Sequence, residues 1–222
     1  MPKKAVARGS IERSKSQIRT ERVIDRLLEA ATQFFMEKGF EATSMGEIAK
    51  HAHASKETFY RHFPTKEELF QAALLRRAEQ IATEFGSVFL SQDPPEIALA
   101  KFGQVVLERL LAPEALSFRR VMVMESGRFP ELPKSLHARG PARVNAALAH
   151  YLEDQVKEGR LRPMNSTVAA RQFFDLVAAE MTIEASVASM PKPTTGEMRQ
   201  RVQEALDCFL HGYGKKVEAA KP

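Results

Sequence analysis

Residues 44–64 read SMGEIAKHAHASKETFYRHFP, and this stretch holds two short helix signals separated by only a few residues. Ser44 with Glu47 matches a capping box, which predicts that one helix starts there. Ser55 is a good N-cap for a second helix that ends at about Arg61. The residues expected to pack inward are Ile48, Ala52, Ala54 and Phe59. Since helices this short bury little surface alone, the pair is typical of a helix-turn-helix, whose second helix enters the major groove of DNA.

The segments on both sides of this pair carry further motifs in the same register. They are AA at 30–31, FF at 34–35, KGFEATS at 38–44, IA at 48–49, SK at 55–56, TFY at 58–60, HFP at 62–64 and KEELF at 66–70. With these motifs, segment 20–70 resembles the DNA-binding domain of the TetR family of bacterial transcriptional regulators. The C-terminal part resembles a subset of that family, through ESGRFP at 125–130, GP at 140–141, GRL at 159–161 and DCFLHGY at 207–213.

The resemblance implies which side chains meet DNA. A helix in the major groove reads base edges with its outward side chains, while neighbouring groups hold phosphates. The positions that commonly contact operator DNA in the family are occupied here by Thr43, Ser44, Ser55, Lys56, Thr58, Tyr60, His62 and Lys66. Lys66 also lies in the first turn of a predicted helix, where free backbone N–H groups favour phosphate. The alternative for Lys66 is a solvated surface lysine.

His53 departs from the family pattern, because it stands at the turn position that usually holds glycine. A turn that needs a positive φ strains any residue with a Cβ atom, although His tolerates it better than most. We therefore expect a slightly reshaped turn, and we predict that His53→Gly keeps or raises the stability of the protein.

The excess of positive charge lies in the N-terminal part of the chain. Residues 1–66 hold 13 Lys and Arg against 8 Asp and Glu, a balance of +5, and residues 67–222 hold 20 of each. Such an asymmetry favours a polyanionic partner, because each phosphate that Lys or Arg neutralises releases counterions. A generic solvated basic segment is the alternative.

Helix start and stop signals recur along the rest of the chain, and no segment shows sustained β alternation. The first helix is predicted to span about 19–38 and to end at Gly39, and Thr194 with Glu197 matches a capping box for the last helix. We expect an all-α fold of nine or so helices, in which a three-helix helix-turn-helix DNA-binding domain joins a larger helical ligand-binding and dimerisation domain. The predicted parts are a disordered basic arm at 1–17, the DNA-binding domain at 18–65, the larger domain at 66–214 and a disordered tail at 215–222. Contact of the arm with DNA is an alternative to disorder.

The composition argues against membrane and secreted proteins. No apolar run of about 18 or more residues occurs, so no transmembrane helix is expected. The charged residues 1–19 are not followed by an apolar segment, which argues against a signal peptide. A single cysteine, Cys208, suits a reducing cytoplasm, and we expect it to be a buried small apolar side chain.

The helices after residue 66 carry aromatic and methionine side chains that suit an apolar cavity for a lipophilic or aromatic ligand. The candidates are Phe85, Phe89, Phe102, Phe118, Met122, Phe173, Phe174 and Met181, with Glu125 and Arg128 as polar orienting groups. The alternative for each apolar side chain is that it simply fills the core. The resemblance favours a pocket but does not identify its effector.

The last two long helices are predicted to form a dimer interface. Their apolar residues are Phe173, Phe174, Val177, Met181, Val202, Leu206, Phe209 and Leu210. In the family, the corresponding helices pack against their symmetry mates as a four-helix bundle, and the two-fold symmetry matches a palindromic operator. The resemblance thus implies a homodimeric repressor that leaves its operator when a small effector shifts the population of its conformations. The helix beginning at Thr65 is expected to transmit this change, since it joins the DNA-binding domain to the pocket.

The residue pattern supports neither a metal site nor catalysis. His51, His53 and His62 lie near one another in sequence, but structural zinc usually has four ligands at recognisable spacing, so no metal or cofactor is expected. The chain has no Gly-rich phosphate loop, zinc-type His/Glu motif or nucleophile elbow, so it is not predicted to be an enzyme. The remaining alternative is a non-specific nucleic-acid-binding or nucleoid-associated protein, which would show little preference among DNA sequences.

Overall fold

The computed structural model describes the backbone of residues 15–86, 88, 93–186 and 192–214, with side chains from residue 20 onward. Ten helices follow one another in these ranges: α1 (Lys15–Ala42), α2 (Met45–His51), α3 (Lys56–His62), α4 (Lys66–Gly86), α5 (Pro95–Leu110), α6 (Pro113–Glu125), α7 (Leu132–Arg139), α8 (Pro141–Lys157), α9 (Ser166–Ser186) and α10 (Thr195–Tyr213). The described residues hold no strand, only an isolated antiparallel bridge between Leu161 and Gly214. The predicted all-α fold is confirmed, with ten helices where nine or so were expected.

α1 begins earlier than the sequence predicted and is interrupted where it predicted an end. The helix already includes Lys15, inside the segment 1–17 that was predicted to be disordered, and residues 1–14 and 215–222 lie outside the described residues. Gly39 breaks the helical geometry with φ 79° and ψ 174°, a conformation that glycine adopts at little cost. The chain then turns so that Phe40, which is 1% exposed, packs on Phe35 and Phe70.

The capping box predicted at the start of α2 does not form. Ser44 has the extended backbone of an N-cap, but its hydroxyl makes no capping hydrogen bond. Glu47 pairs instead with Lys38 on α1, and both of its carboxylate oxygens lie 3.3 Å from Nζ. An ion pair to a neighbouring helix thus replaces a local cap, whereas the box predicted for α10, Thr194 with Glu197, is complete.

Two apolar clusters share α4. The first combines α1, α2 and α3 with the first part of α4, and it includes Phe35, Phe40, Phe59 and Phe70. The second combines α5, α8, α9 and α10 with the last part of α4, and it includes Ala82, Phe85, Phe102, Phe173 and Phe209. Burying each such phenyl side chain stabilises the fold by about 1.5–3 kcal/mol. α4 therefore joins the N-terminal region (residues 15–65) to the C-terminal region (residues 66–214).

The loop between α6 and α7 completes the first cluster. Phe129 in this loop is 8% exposed, and its ring centroid lies 5.5 Å from that of Phe40 and 5.1 Å from that of Phe70. Leu132 and Leu136 of α7 belong to the same cluster. The core of the N-terminal region thus extends past residue 65 into the C-terminal region.

Cys208 is exposed on α10, so the prediction that it is buried is wrong. The inward face of α10 is formed instead by Val202, Ala205, Leu206 and Phe209, which recur at helical spacing and place Cys208 on the other side. None of the helices in the described ranges has the length and apolarity that a membrane span requires.

Candidate DNA-binding surface and internal cavity

The helix pair α2–α3 rests on the first apolar cluster through one face. Ile48 and Phe59 are completely buried and Ala52 is 4% exposed, which confirms their predicted inward orientation. Ser55 caps α3, since its hydroxyl accepts a hydrogen bond from the backbone N–H of Thr58 at 3.2 Å. The opposite face of the pair is therefore free to meet a partner.

The turn between the two helices has the positive φ that was expected at position 53, but it keeps a standard geometry and is not reshaped as predicted. His53 adopts φ 51°, and among the described residues it is the only one other than glycine with a positive φ. The backbone N–H groups of His53 and Ala54 donate to the carbonyls of Lys50 at 3.2 Å and Ala49 at 3.0 Å. These two bonds form a Schellman motif, in which glycine usually takes the left-handed position.

The predicted DNA-binding residues differ in exposure. Ser44, Ser55, Lys56 and Tyr60 are exposed, and Thr58, His62 and Lys66 are half-buried. Thr43 is only 3% exposed, and its hydroxyl donates to the carbonyls of Gly39 at 2.7 Å and Phe34 at 3.2 Å. Its side chain therefore fastens the end of α1 to the start of α2 and does not belong to the exposed surface.

Lys66 has partners within the protein. Its ammonium donates to the carbonyl of Glu41 at 2.9 Å and lies 4.7 Å from the centroid of the Phe40 ring. An ammonium has three N–H donors, so this bond leaves capacity for a phosphate. The side chain thus connects α4 to the end of α1 at the border of the candidate surface.

Two arginines of α1 adjoin the surface, and the sequence interpretation missed them. Arg22 and Arg26 line a groove of about 1150 Å³ together with the turn and α3, whose residues include Arg61 and His62. The Nε2 atom of His62 is buried and finds no hydrogen-bond partner among the described residues. The groove holds three guanidinium groups and one carboxylate, that of Asp25, which pairs with Arg76, so its charge suits an anion. The spacing of four residues between Arg22 and Arg26 on a predicted helix was the available signal.

A second concave site lies in the C-terminal region. This cavity has a volume of about 520 Å³, is lined by α4, α6, α7 and α8 with contributions from α5 and α9, and opens to solvent beside Val123, which is 70% exposed. Four of the predicted ligand-binding residues line it, namely Phe85, Phe118, Met122 and Phe174. The walls that the prediction missed include Ile81, Leu110, Val123 and Val144, and two basic side chains, Arg119 and His137.

The other predicted ligand-binding residues are not in the cavity wall. Phe102 and Phe173 are completely buried and Met181 is 9% exposed, and all three fill the second apolar cluster. Glu125 is half-buried at the end of α6 and does not line the cavity, and Phe89 lies outside the described residues. The core-filling alternative thus holds for the three buried side chains.

Arg128 also lies away from the cavity, contrary to its predicted role as an orienting group. Its guanidinium pairs with Glu41 at the end of α1 and with Glu67 in the first turn of α4, where Nη2 and Oε1 are 3.2 Å apart. It also stacks 4.3 Å from the centroid of the Phe40 ring. The α6–α7 loop therefore holds the N-terminal region through Arg128 as well as Phe129.

The outward face of α9 and α10 differs from the predicted dimer interface. Phe173, Val177, Met181, Val202, Leu206 and Phe209 are all buried within the chain, Phe174 lines the cavity and Leu210 is half-buried. Leu176 and Ile183 of α9 are instead 38% and 67% exposed. Because they are seven residues apart, they share one face of the helix.

The described residues contain no group of three or more His, Cys, Asp or Glu side chains that could hold a metal ion.

Comparison with known proteins gives matches over both regions. Residues 27–73 match the sequence model described as "Bacterial regulatory proteins, tetR family", and residues 97–215 match that of the "AefR-like transcriptional repressor, C-terminal domain". A TetR-family structure from Mesorhizobium loti MAFF303099 has a TM-score of 0.84 and 28% identity, covering 89% of this chain and 99% of that one.

Two further relatives are similar over most of their length. The flavonoid-responsive regulator FrrA has a TM-score of 0.68 and 31% identity, covering 89% of this chain and 100% of that one. The HTH-type transcriptional regulator UidR of Escherichia coli K12 is 29% identical over 157 residues, which are 68% of this chain and 76% of UidR. Since the helix-turn-helix, the C-terminal helices and these matches all agree, the chain belongs to the TetR family of non-enzymatic, DNA-binding transcriptional regulators.

Proposed function

We propose that the protein is a ligand-responsive repressor in the cytoplasm, which binds a palindromic operator as a homodimer and is released by a small lipophilic or aromatic effector. The observation that carries this proposal is that α4 joins the exposed helix pair at one end to the wall of an apolar cavity at the other. Two of the similarities support the two halves of the proposal, since the family that matches the C-terminal region is described as one of transcriptional repressors and FrrA is a flavonoid-responsive regulator.

The surface proposed to meet the operator combines the exposed or half-buried predicted residues with the arginines of the groove. These are Ser44, Ser55, Lys56, Thr58, Tyr60, His62, Lys66, Arg22, Arg26 and Arg61. Side chains of α3 would read base edges, while Arg22 and Arg26 would hold phosphates of the backbone. Thr43 supports this surface from beneath through its two hydrogen bonds.

A salt titration of operator binding tests this division of roles. Arg22→Ala should weaken binding to all sequences and reduce the slope of log affinity against log salt by about 1, because one phosphate contact is lost. Thr58→Ala should instead change the preference among operator variants. Lys134→Ala, which removes an exposed charge on α7, is the control and should leave both quantities unchanged.

The same measurement separates a repressor from a non-specific nucleic-acid-binding protein. A specific regulator binds its site roughly a thousandfold or more tightly than random DNA at moderate salt. A ratio near one for every sequence from the promoter region of its own gene would favour the non-specific alternative.

We place the dimer interface on the outward face of α9 and α10, where Leu176 and Ile183 are exposed. Two copies related by a two-fold axis would bury these side chains against each other. They would then present two α2–α3 helix pairs, called readers below, to adjacent half-sites of the operator. Ile183→Glu should convert the dimer to monomers in sedimentation experiments and abolish tight operator binding. Met124→Glu, at an exposed apolar position on α6, is the matched control.

Two connections would transmit effector binding to the reader. α4 lines the cavity with Ile81 and Phe85, and α6, which lines it with Phe118, leads into the loop that holds Arg128 and Phe129 against the N-terminal region. The dimer is proposed to have two forms that differ in the distance between their two readers, and only one of them fits the operator. An effector that binds the other form more tightly weakens operator affinity, and the size of the effect equals the ratio of its affinities for the two forms. Operator affinity that is unchanged by every ligand of the cavity would contradict this mechanism.

A further inference from the structure

The cavity of the C-terminal region is apolar except for a few groups, and one of these is a guanidinium. Arg119 of α6 lines the cavity next to Phe118 and Met122, and no Asp or Glu is among the described residues of its wall. The internal segments outside the described residues, 87, 89–92 and 187–191, contain no Asp or Glu in their sequence. The wall therefore offers a positive charge without a carboxylate to balance it.

The contacts of Arg119 leave part of its hydrogen-bonding capacity unused. Nη1 donates to the carbonyl of Thr182 at 2.7 Å and to the hydroxyl of Ser186 at 3.1 Å. Both acceptors are neutral, and they lie in the last turn of α9, whose negative dipole end favours a cation. A guanidinium has five N–H donors, so its other nitrogens can still bind a planar anionic group in two-point fashion.

Arg119 differs in this respect from other arginines of the C-terminal region. Arg76, Arg109, Arg139 and Arg201 each pair with a carboxylate of the protein. Arg119 is half-buried, and burial lowers the pKa of its guanidinium, yet no described carboxylate pairs with it. Keeping a charge away from water without a counter-ion is unfavourable, and an anionic ligand would remove that penalty.

We propose that the cavity takes a lipophilic organic anion, whose carboxylate, sulfonate or phenolate group pairs with the guanidinium of Arg119 while its hydrocarbon part contacts the apolar walls. This inference rests on the effector site of the proposed function and adds the charge of the ligand. A neutral hydrophobic molecule of the same shape gains the apolar contacts but leaves Arg119 without a counter-ion, so it binds more weakly.

Two fluorescent probes of nearly identical shape test the proposal. Anilinonaphthalenesulfonate carries a sulfonate, and phenylnaphthylamine is the same ring system without it. Wild-type protein should bind the sulfonate more tightly in a fluorescence titration. Arg119→Gln should weaken binding of the sulfonate about tenfold or more, the value of a charged hydrogen bond, and change binding of the neutral probe less than about twofold.

Neighbouring variants serve as controls. Arg120→Gln removes an exposed guanidinium that contacts only the hydroxyl of Ser117 among the described hydrogen bonds, and it should leave both affinities unchanged. Arg119→Lys keeps the charge and should retain part of the preference for the sulfonate. Ala115→Trp places an indole in the cavity and should remove binding of both probes, which shows where they bind.

Several results would overturn the proposal. On the wild type, they are equal affinities for the two probes or no binding of either probe. On the variants, they are an equal loss of affinity for both probes in Arg119→Gln or binding of the probes that persists in Ala115→Trp. If Arg119→Gln does not fold, the comparison of the two probes on the wild type decides alone. A sulfonate that binds through Arg119 without changing operator affinity would contradict the proposed effector response and leave the charge of the ligand established.

Discussion

The N-terminal region presents its candidate DNA-binding side chains outward from the two short helices α2 and α3. The candidate ligand-binding side chains of the C-terminal region instead line a cavity between several helices. The reader residues Ser44 to Lys66 are close in sequence, and their exposure follows from which side of α2 and α3 packs on Ile48 and Phe59. The cavity wall draws on residues from Ala78 to Phe174. A surface site of this kind depends on a short motif, and the cavity depends on how distant helices meet.

The two regions nevertheless share the first apolar cluster. Phe40 of the N-terminal region packs on Phe129 of the α6–α7 loop, and Arg128 of the same loop covers it. A change at this junction should therefore be felt in both regions, while changes elsewhere should stay in one of them. The following variants test that contrast.

The largest effect is expected at the junction. Phe40→Ala should lower the free energy of unfolding by about 3–5 kcal/mol, because Phe40 is 1% exposed and contacts Phe35, Phe70 and Phe129. Chemical denaturation followed by circular dichroism measures this loss. Tyr60→Ala, at a side chain that is 47% exposed, should cost less than about 1 kcal/mol while weakening operator binding. An early transition of Phe40→Ala that is confined to the N-terminal region would show that this junction does not couple the unfolding of the two regions.

A smaller loss is expected inside the C-terminal region. Gly103→Ala would bring a Cβ atom to 3.0 Å and 3.2 Å from the methyl groups of Val202 and to 3.5 Å from Val177. Such overpacking between α5, α9 and α10 costs about 1–3 kcal/mol in thermal or denaturant unfolding. Gly212→Ala meets no atom within 4 Å and should instead gain up to about 1 kcal/mol from helix propensity. Equal stability of the two variants would mean that α5 can move away from α9 and α10 at little cost in free energy.

Arg128 should matter for communication more than for stability. Its ion pairs with Glu41 and Glu67 are partly exposed to solvent, so Arg128→Gln should change the free energy of unfolding by less than about 1 kcal/mol. The factor by which an effector weakens operator affinity, roughly 5–150-fold in such systems, should fall towards one. Arg139→Gln is the matched control, because Arg139 pairs with Glu79 on α4 and not with the N-terminal region. An undiminished response in Arg128→Gln would exclude this route.

The smallest effect on stability is expected at the turn between α2 and α3. His53→Gly should leave stability unchanged or raise it by up to about 1 kcal/mol, because relief of the left-handed strain at φ 51° is partly offset by the added entropy of the unfolded chain. Lys50→Gly, in the helical part of α2, should lose about 1 kcal/mol. A marked drop in the melting temperature of His53→Gly would reveal a contact that the histidine makes.

Prediction from sequence succeeded at several positions whose role depends on near neighbours, although the capping box of Ser44 and Glu47 failed because Glu47 pairs with Lys38 on α1. The inward positions of α2 and α3 and the positive φ of His53 were all predicted, since caps, spacing and turn geometry are local properties. Thr43 was assigned to the surface because nothing in its neighbourhood shows that its hydroxyl reaches the carbonyl of Phe34, nine residues earlier.

The lining of the cavity could not be predicted from local sequence patterns. Phe173 and Phe174 are adjacent and equally apolar, yet Phe173 fills the core and Phe174 lines the cavity, because consecutive residues of a helix point about 100° apart. Arg128 was expected at the cavity but pairs with α1 instead, whereas Arg119, which was not among the predicted residues, lines the cavity.

The sequence by itself determined the helical class, the helix-turn-helix and the family of this protein, because hydrophobic periodicity, caps and motif spacing act over a few residues. Only the tertiary structure decided which apolar side chains line the cavity, which arginine reaches it and how the α6–α7 loop holds the reader. The physical reason is that these features depend on the relative placement of helices far apart in the chain, and that placement results from the packing of the whole core.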